Sequence, residues 1–180
     1  MKKILVMLAM IAFLLGCRSG VGEMPGYLWS EPNLVQVSYN IADNLVDKAG
    51  PELNRQGPIL VASFVDVDNV QESSTLGRMM AEQIGSRLVQ KNFRVQELKL
   101  RSSLFISSRK GEFLLSREIQ DVSRKHDAQA LVVGTYAPGK DSVYFSSRLV
   151  QADSGKIISS YDVRLEVNDD LEEMLDIRGF

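Results

Sequence analysis

The stretch PILVASFVDVD, Pro58 to Asp68, carries a β-branched run from Ile59 to Val67 that is apolar on both faces. Such a run reads as one central strand, buried on both sides of a sheet. Just after it, Ser73, Ser74 and Thr75 offer caps for a helix from about Thr75 to Lys91, whose Leu76, Met80, Ile84 and Leu88 share one face. Gly77 and Gly85 lie close to that face; they cost helix stability but permit close approach to a sheet. FRVQEL, Phe93 to Leu98, follows as a strand, so Ile59 to Leu98 is expected to form a βαβ unit with a parallel pair.

On the N-terminal side, Leu34 to about Lys48 places Leu34, Val37, Ile41 and Leu45 on one helical face, with Asn33 as cap and Gly50-Pro51 as terminator. On the other side, a third helix is expected from about Phe113 to Lys125, carrying Leu115, Ile119 and Val122 inward, and ALVVGTY, Ala130 to Tyr136, is a further buried strand. Ile157, Ser159, Tyr161, Val163, Leu165 and Val167 alternate with Ile158, Ser160, Asp162, Arg164 and Glu166, the period of a half-solvated strand. Val143 to Val150 lies opposite, joined through Asp153-Ser154-Gly155-Lys156, where the glycine supplies a left-handed residue. The expected fold is a single α/β (α+β) domain over residues 34–167. It has the order α-β-α-β-α-β-β-β and a mixed parallel and antiparallel sheet of about five strands flanked by helices. Residues 168–180, NDDLEEMLDIRGF, form an acidic tail, either a short helix or disordered.

Two lysines, Lys2 and Lys3, precede an apolar run from Ile4 to Leu15. A bilayer-spanning helix needs about 20 apolar residues, so residues 1–16 are expected to be a signal peptide. The run ends Leu14-Leu15-Gly16-Cys17, which resembles the bacterial lipobox, and Cys17 is the only cysteine. The resemblance implies cleavage before Cys17, a diacylglycerol thioether on its sulfur and acylation of the new amino terminus; the competing reading is a buried thiol behind an apolar helix. Two or three acyl chains hold a protein stably on a membrane where one does not. Arg18 follows the cysteine where an aspartate would favour the inner membrane, so the expected location is the outer membrane, facing the periplasm. Residues 17–33 would then be a lipidated cysteine and a Gly- and Pro-rich tether reaching roughly 20 to 25 Å. Within it, Tyr27, Leu28 and Trp29 either pack on the domain or the membrane interface, or form a docking motif.

The chain has 21 basic and 23 acidic residues; without Lys2 and Lys3 the balance is 19 against 23. A mildly acidic chain with no basic stripe excludes nucleic acid as the expected partner. His126, the single histidine, sits in Arg124-Lys125-His126-Asp127, where a cation suits a helix C-terminus. With no second histidine, soft-metal ligands are too few. Asp66, Asp68 and Glu72 fall beyond the first strand, where α/β sheets often bind ligands, but DVDNVQESS lacks the glycine and closing glutamate of a calcium loop. They are read as a solvated turn and helix cap. Phosphate loops and a GxSxG elbow are missing as well. No catalytic residue, cofactor or metal is therefore expected.

The pieces LGRMMAEQI (Leu76 to Ile84), GEFLLSR (Gly111 to Arg117) and LVVGTYA (Leu131 to Ala137), with the final hairpin and the lipobox, resemble the FlgO family of flagellar outer-membrane lipoproteins over about Ile59 to Leu165. The resemblance implies a non-enzymatic accessory of the flagellum, needed for flagellar stability and motility, with other flagellar outer-membrane or basal-body proteins as partners. Gly111, Glu112, Ser116, Gly134 and Tyr136 match the family pattern and are expected to have structural roles: cap and loop for the first three, close packing and a strand-end aromatic for the others. The order of elements also resembles the N-terminal domain of TolB, the curli secretion lipoprotein CsgG and the peptidoglycan synthase activator LpoB, which keeps open an envelope lipoprotein that regulates a synthase or secretion complex by protein contact. The strand Ile157 to Val167, if it lies at the sheet edge, would present Ile158, Ser160, Asp162 and Arg164 to a partner strand or a second copy of the chain.

Overall fold

Asn33 starts the first helix, α1 (Leu34–Ala49): its Oδ1 accepts from the Val35 N–H at 2.9 Å, and Gly50, at φ 49°, ends the helix ahead of Pro51. Val37, Ile41 and Leu45 form the buried stripe. The computed structural model describes residues 33–71, 73–98, 105–107, 113–115 and 117–175, within one unit, Pro32–Phe180. After α1 come β1 (Pro58–Ala62), β2 (Val65–Asp66), α2 (Thr75–Gln90) and β3 (Arg94–Leu98). Then follow β4 (Phe105–Ser107), β5 (Phe113–Leu115) and α3 (Arg117–Lys125). The last elements are β6 (Ala130–Pro138), β7 (Ser142–Gln151), β8 (Ile157–Glu166) and α4 (Asp169–Leu175).

The main sheet has six strands in the order β3-β1-β6-β7-β8, with β2 also on β6; β3, β1, β2 and β6 are parallel and β6, β7 and β8 antiparallel. One face carries α1 and α2 over a core of Ile59, Val61, Val132, Phe145 and Leu149. The other carries Leu60, Ala62, Leu131 and Val133, with Val122 of α3 packed against them. The parallel pair and the terminal hairpin stand as the periodicity predicts.

Two expectations need correction, and two others are made specific. The run Ile59 to Val67 is two strands, because Val61 pairs with Val132 while Val65 pairs with Thr135. Between those pairs the run has one residue more than β6, a bulge that sends Val65 to the α3 side and leaves Phe64 on the α1–α2 side. Second, the third helix starts at Arg117, and Phe113–Leu115, Leu115 included, pairs antiparallel with Phe105–Ser107. Three apolar residues suit a helix turn or a short strand equally, and a partner found outside the local window decides. The main sheet, expected at about five strands, has six with β2 included. Of the two forms open to the acidic tail, the short helix is present as α4: Asn168 Oδ1 accepts from the Leu171 N–H at 3.0 Å, and Leu171 joins the core at 4% exposure.

Between α1 and α2, Arg87 Nε and Nη2 donate to the two Asp43 oxygens, both at 2.8 Å, and Lys91 Nζ lies 3.2 Å from Asp43 and 2.8 Å from Asp47. The Arg87 hydrogen bonds hold the Asp43 carboxyl below its ordinary value against the opposing pull of burial. A carboxyl depressed by folding contributes stability above its unfolded value, near 3.9, that is lost as pH falls through the lower folded value. Asp43→Asn is expected to cost about 1 kcal/mol at pH 7, with the deficit narrowing below about pH 4; paired urea melts across that range check it.

Candidate interaction surface

The β7–β8 hairpin turns through Gly155, whose φ of 71° is the left-handed conformation expected of it. Its ladder is continuous from Ser142↔Glu166 to Leu149↔Ser159, then shifts so that Val150 faces Ile157. That bulge corrects the expected facing of two residues. Ile157 is 51% exposed, and Ile158 packs against the α1–α2 core instead of standing out with Ser160. From Ser159 onward the alternation holds: Ser159 and Leu165 are buried, Tyr161 and Val163 half-buried, and Ser160, Asp162, Arg164 and Glu166 exposed. Ser159 Oγ donates to the Leu45 carbonyl at 2.7 Å, fastening the strand to α1.

Among the described residues, β8 pairs only with β7 and so ends the sheet. The Val167 N–H donates to the Asp141 carbonyl at 3.2 Å, which sets the phase of the ladder. Odd-numbered residues direct their main-chain groups at β7, and Ser160, Asp162, Arg164 and Glu166 direct theirs outward. Three of the four residues expected to face a partner thus share the free edge; Ile158 does not share their facing. Asp162 Oδ1 accepts from Ser146 Oγ at 2.6 Å, and Arg164 Nε donates to Ser142 Oγ at 2.7 Å.

Beside this edge the α3 side of the sheet changes character. Along β6, buried Leu131 and Val133 give way to half-buried Thr135 and Ala137. There Val67, Tyr144, Ser146 and Arg148, with Asp162 and Arg164, line a shallow depression of about 530 Å³. Tyr144 is 54% and Val67 39% exposed. The sequence reading missed this corner. Its signal was Tyr144, Ser146 and Arg148 at alternate positions of β7, too polar for a covered face.

Other residues of interest are not brought together. Asp66 Oδ1 accepts from the Asp68 N–H at 2.8 Å, a local turn; Glu72 lies outside the described residues. His126 follows α3, its N–H donating to the Val122 carbonyl at 3.1 Å. Among the described residues no three acidic, histidine or cysteine side chains converge on a metal position, and no helix is long and apolar enough to cross a membrane. Gly134 has its close-packing role against Phe64, and Tyr136 accepts at its hydroxyl from the Ser74 N–H at 3.0 Å, tying β6 to the start of α2. Cys17, Tyr27, Leu28, Trp29, Gly111, Glu112 and Ser116 lie outside the described residues.

No curated protein sequence matches the chain. Among solved structures, the LpoB C-terminal domain from Salmonella enterica is similar at 12% identity and a TM-score of 0.51, over 72% of this chain and 96% of that one. The same domain from Escherichia coli gives 11% identity and a TM-score of 0.48, over 76% and 99%. A PelC dodecamer from Paraburkholderia phytofirmans gives 13% and 0.46, over 65% and 76%. At such identities the Salmonella likeness shows a shared fold alone, and the two lower scores add nothing to it. A sequence model described as FlgO protein matches residues 39–170, a span that takes in most of α1 and the whole main sheet. The chain belongs to the FlgO family.

Proposed function

We propose that this protein is an outer-membrane lipoprotein, anchored through Cys17, that serves as an accessory of the flagellum by contact with other flagellar envelope proteins and is needed for flagellar stability and motility. The observation that carries the reading is the family match over residues 39–170 standing behind the lipobox-like Leu14-Leu15-Gly16-Cys17. The domain offers surfaces suited to protein contact, a sheet edge and an open corner, so its role is mechanical and no catalytic step is assigned to it. Residues 1–16 would be removed, and residues 17–33 would tether the domain to the periplasmic face.

Two experiments test the parts. Radiolabelled palmitate should enter the wild-type protein and not Cys17→Ser, and the variant should leave the outer-membrane fraction; equal membrane association of both would refute the anchor. A clean deletion strain should lose swimming in soft agar. If it swims normally, the flagellar role fails and contact with an envelope enzyme becomes the reading to pursue.

A further inference from the structure

Among the described residues, the outer edge of the long strand β8 pairs with no other strand. Ile157–Glu166 contains no proline, glycine or lysine, and its one bulge lies before Ser159. Proteins usually blunt such edges with those devices, because unpaired main-chain groups otherwise recruit another strand. Here the outward-facing residues carry opposite charges two positions apart, Asp162 and Arg164.

We infer that β8 pairs antiparallel with β8 of a second copy of the chain, about a two-fold axis through Val163. In that register Asp162 faces Arg164 of the second copy and Arg164 faces Asp162, while Ser160 faces Glu166. Even-numbered residues meet even-numbered residues, so every outward N–H and carbonyl between Ser160 and Glu166 gains a partner. The two-fold makes the interface self-complementary, each contact occurring twice. Charge order and strand length together select this register: centred on Asp162 or on Arg164, an antiparallel pairing sets two like charges opposite each other, and centred on Leu165 it would run past the strand end at Glu166. In the free chain Asp162 Oδ1 and Arg164 Nε are held by Ser146 and Ser142, while Arg164 Nη2 lies 4.0 Å from Glu166. That leaves the second carboxylate oxygen and the guanidinium fork to cross the axis. Val163 meets its own copy at a position where opposed Cα atoms come within about 4.5 Å, close enough for a disulfide between cysteines.

The test uses the full chain in its own membranes. Val163→Cys should give a disulfide dimer on mild oxidation, visible on a non-reducing gel, with Ile157→Cys, more exposed to oxidant than Val163 but out of register, as control. The unsubstituted chain run alongside reports any contribution from Cys17. Adding Asp162→Arg to Val163→Cys should reduce the cross-linked fraction about tenfold, since both charge pairs turn repulsive, and the further change Arg164→Asp should restore it. Restoration also shows that the single reversal did not act by unfolding the domain. No cross-link at Val163, an equal one at Ile157, or a cross-link indifferent to charge reversal would overturn the proposal.

Discussion

Phe64→Ala is expected to destabilise the domain by about 4 kcal/mol. Phe64 is fully buried in the core under α1 and α2. Its ring lies directly on Gly134 of β6, where a Cβ would fall 2.2 Å from Cε1. The space is thus built from both sides: the bulge after β1 delivers the ring, and a residue without a side chain receives it. Backbone bonds fix the site further, since the Phe64 N–H donates to the Gly77 carbonyl at 3.1 Å and the Phe64 carbonyl accepts from Ser73 Oγ at 2.7 Å. Walls held that firmly cannot collapse, so the cavity persists and its cost adds to the lost transfer energy. Urea denaturation should show the midpoint fall with an unchanged slope. A loss below about 1 kcal/mol would mean that the site relaxes and that the bulge does not position the ring.

Gly77→Ala is the second large effect, a loss of about 2 kcal/mol or more. Its Cβ would stand 2.2 Å from the Phe64 carbonyl oxygen. The obstacle is backbone, so either the α2 N-terminus or the bulge must move, weakening the bond between them. Against this, alanine returns at most about 1 kcal/mol of helix propensity. Gly85, two turns further along the same helix, is the comparison: its Cβ would meet only Val95 Cγ1 at 3.6 Å, an ordinary contact. Gly85→Ala is therefore expected to stabilise by about 0.5–1 kcal/mol. Opposite signs for the two glycines in one set of melts would show that close approach, and not helix composition, governs Gly77.

These residues show which parts of the fold were legible. Leu76, Met80, Ile84 and Leu88 are a helix stripe that any window of the chain displays, and all four are fully buried. The same holds for the alternation of β8 after Ser159, where local period and tertiary environment agree. What escaped were features set by a partner distant in sequence. The break between β1 and β2 exists because β6 has one residue fewer in the matching span. β5 is a strand because β4 pairs with it. Ile158 turns inward because it is the extra residue of a bulge between Ile157 and Ser159, set by the pairing with Leu149 and Val150 of β7. The sequence pair Gly77 and Gly85 announced close packing at two positions, and only the first has a neighbour that demands it.

The candidate surface divides in the same way. Ser160, Asp162 and Arg164 were assignable to one strand face from alternation alone, whereas their place on a free edge depends on β8 ending the sheet. The open corner with Tyr144 and Val67 depends on where α3 stops covering β6, a matter of packing between segments far apart in the chain. The Asp43, Arg87 and Lys91 network joins two helices away from that corner and edge, and a structural ion pair explains the pKa shifts of its members.

The most direct measurement is a count of flagella per cell by electron microscopy in a clean deletion strain, complemented at matched protein levels with the wild type or with Cys17→Ser. The expected result is that flagella are lost or shed in the deletion, return with the wild type, and stay lost with the variant. Normal flagella in the deletion strain, or full restoration by Cys17→Ser, would contradict a membrane-tethered flagellar accessory.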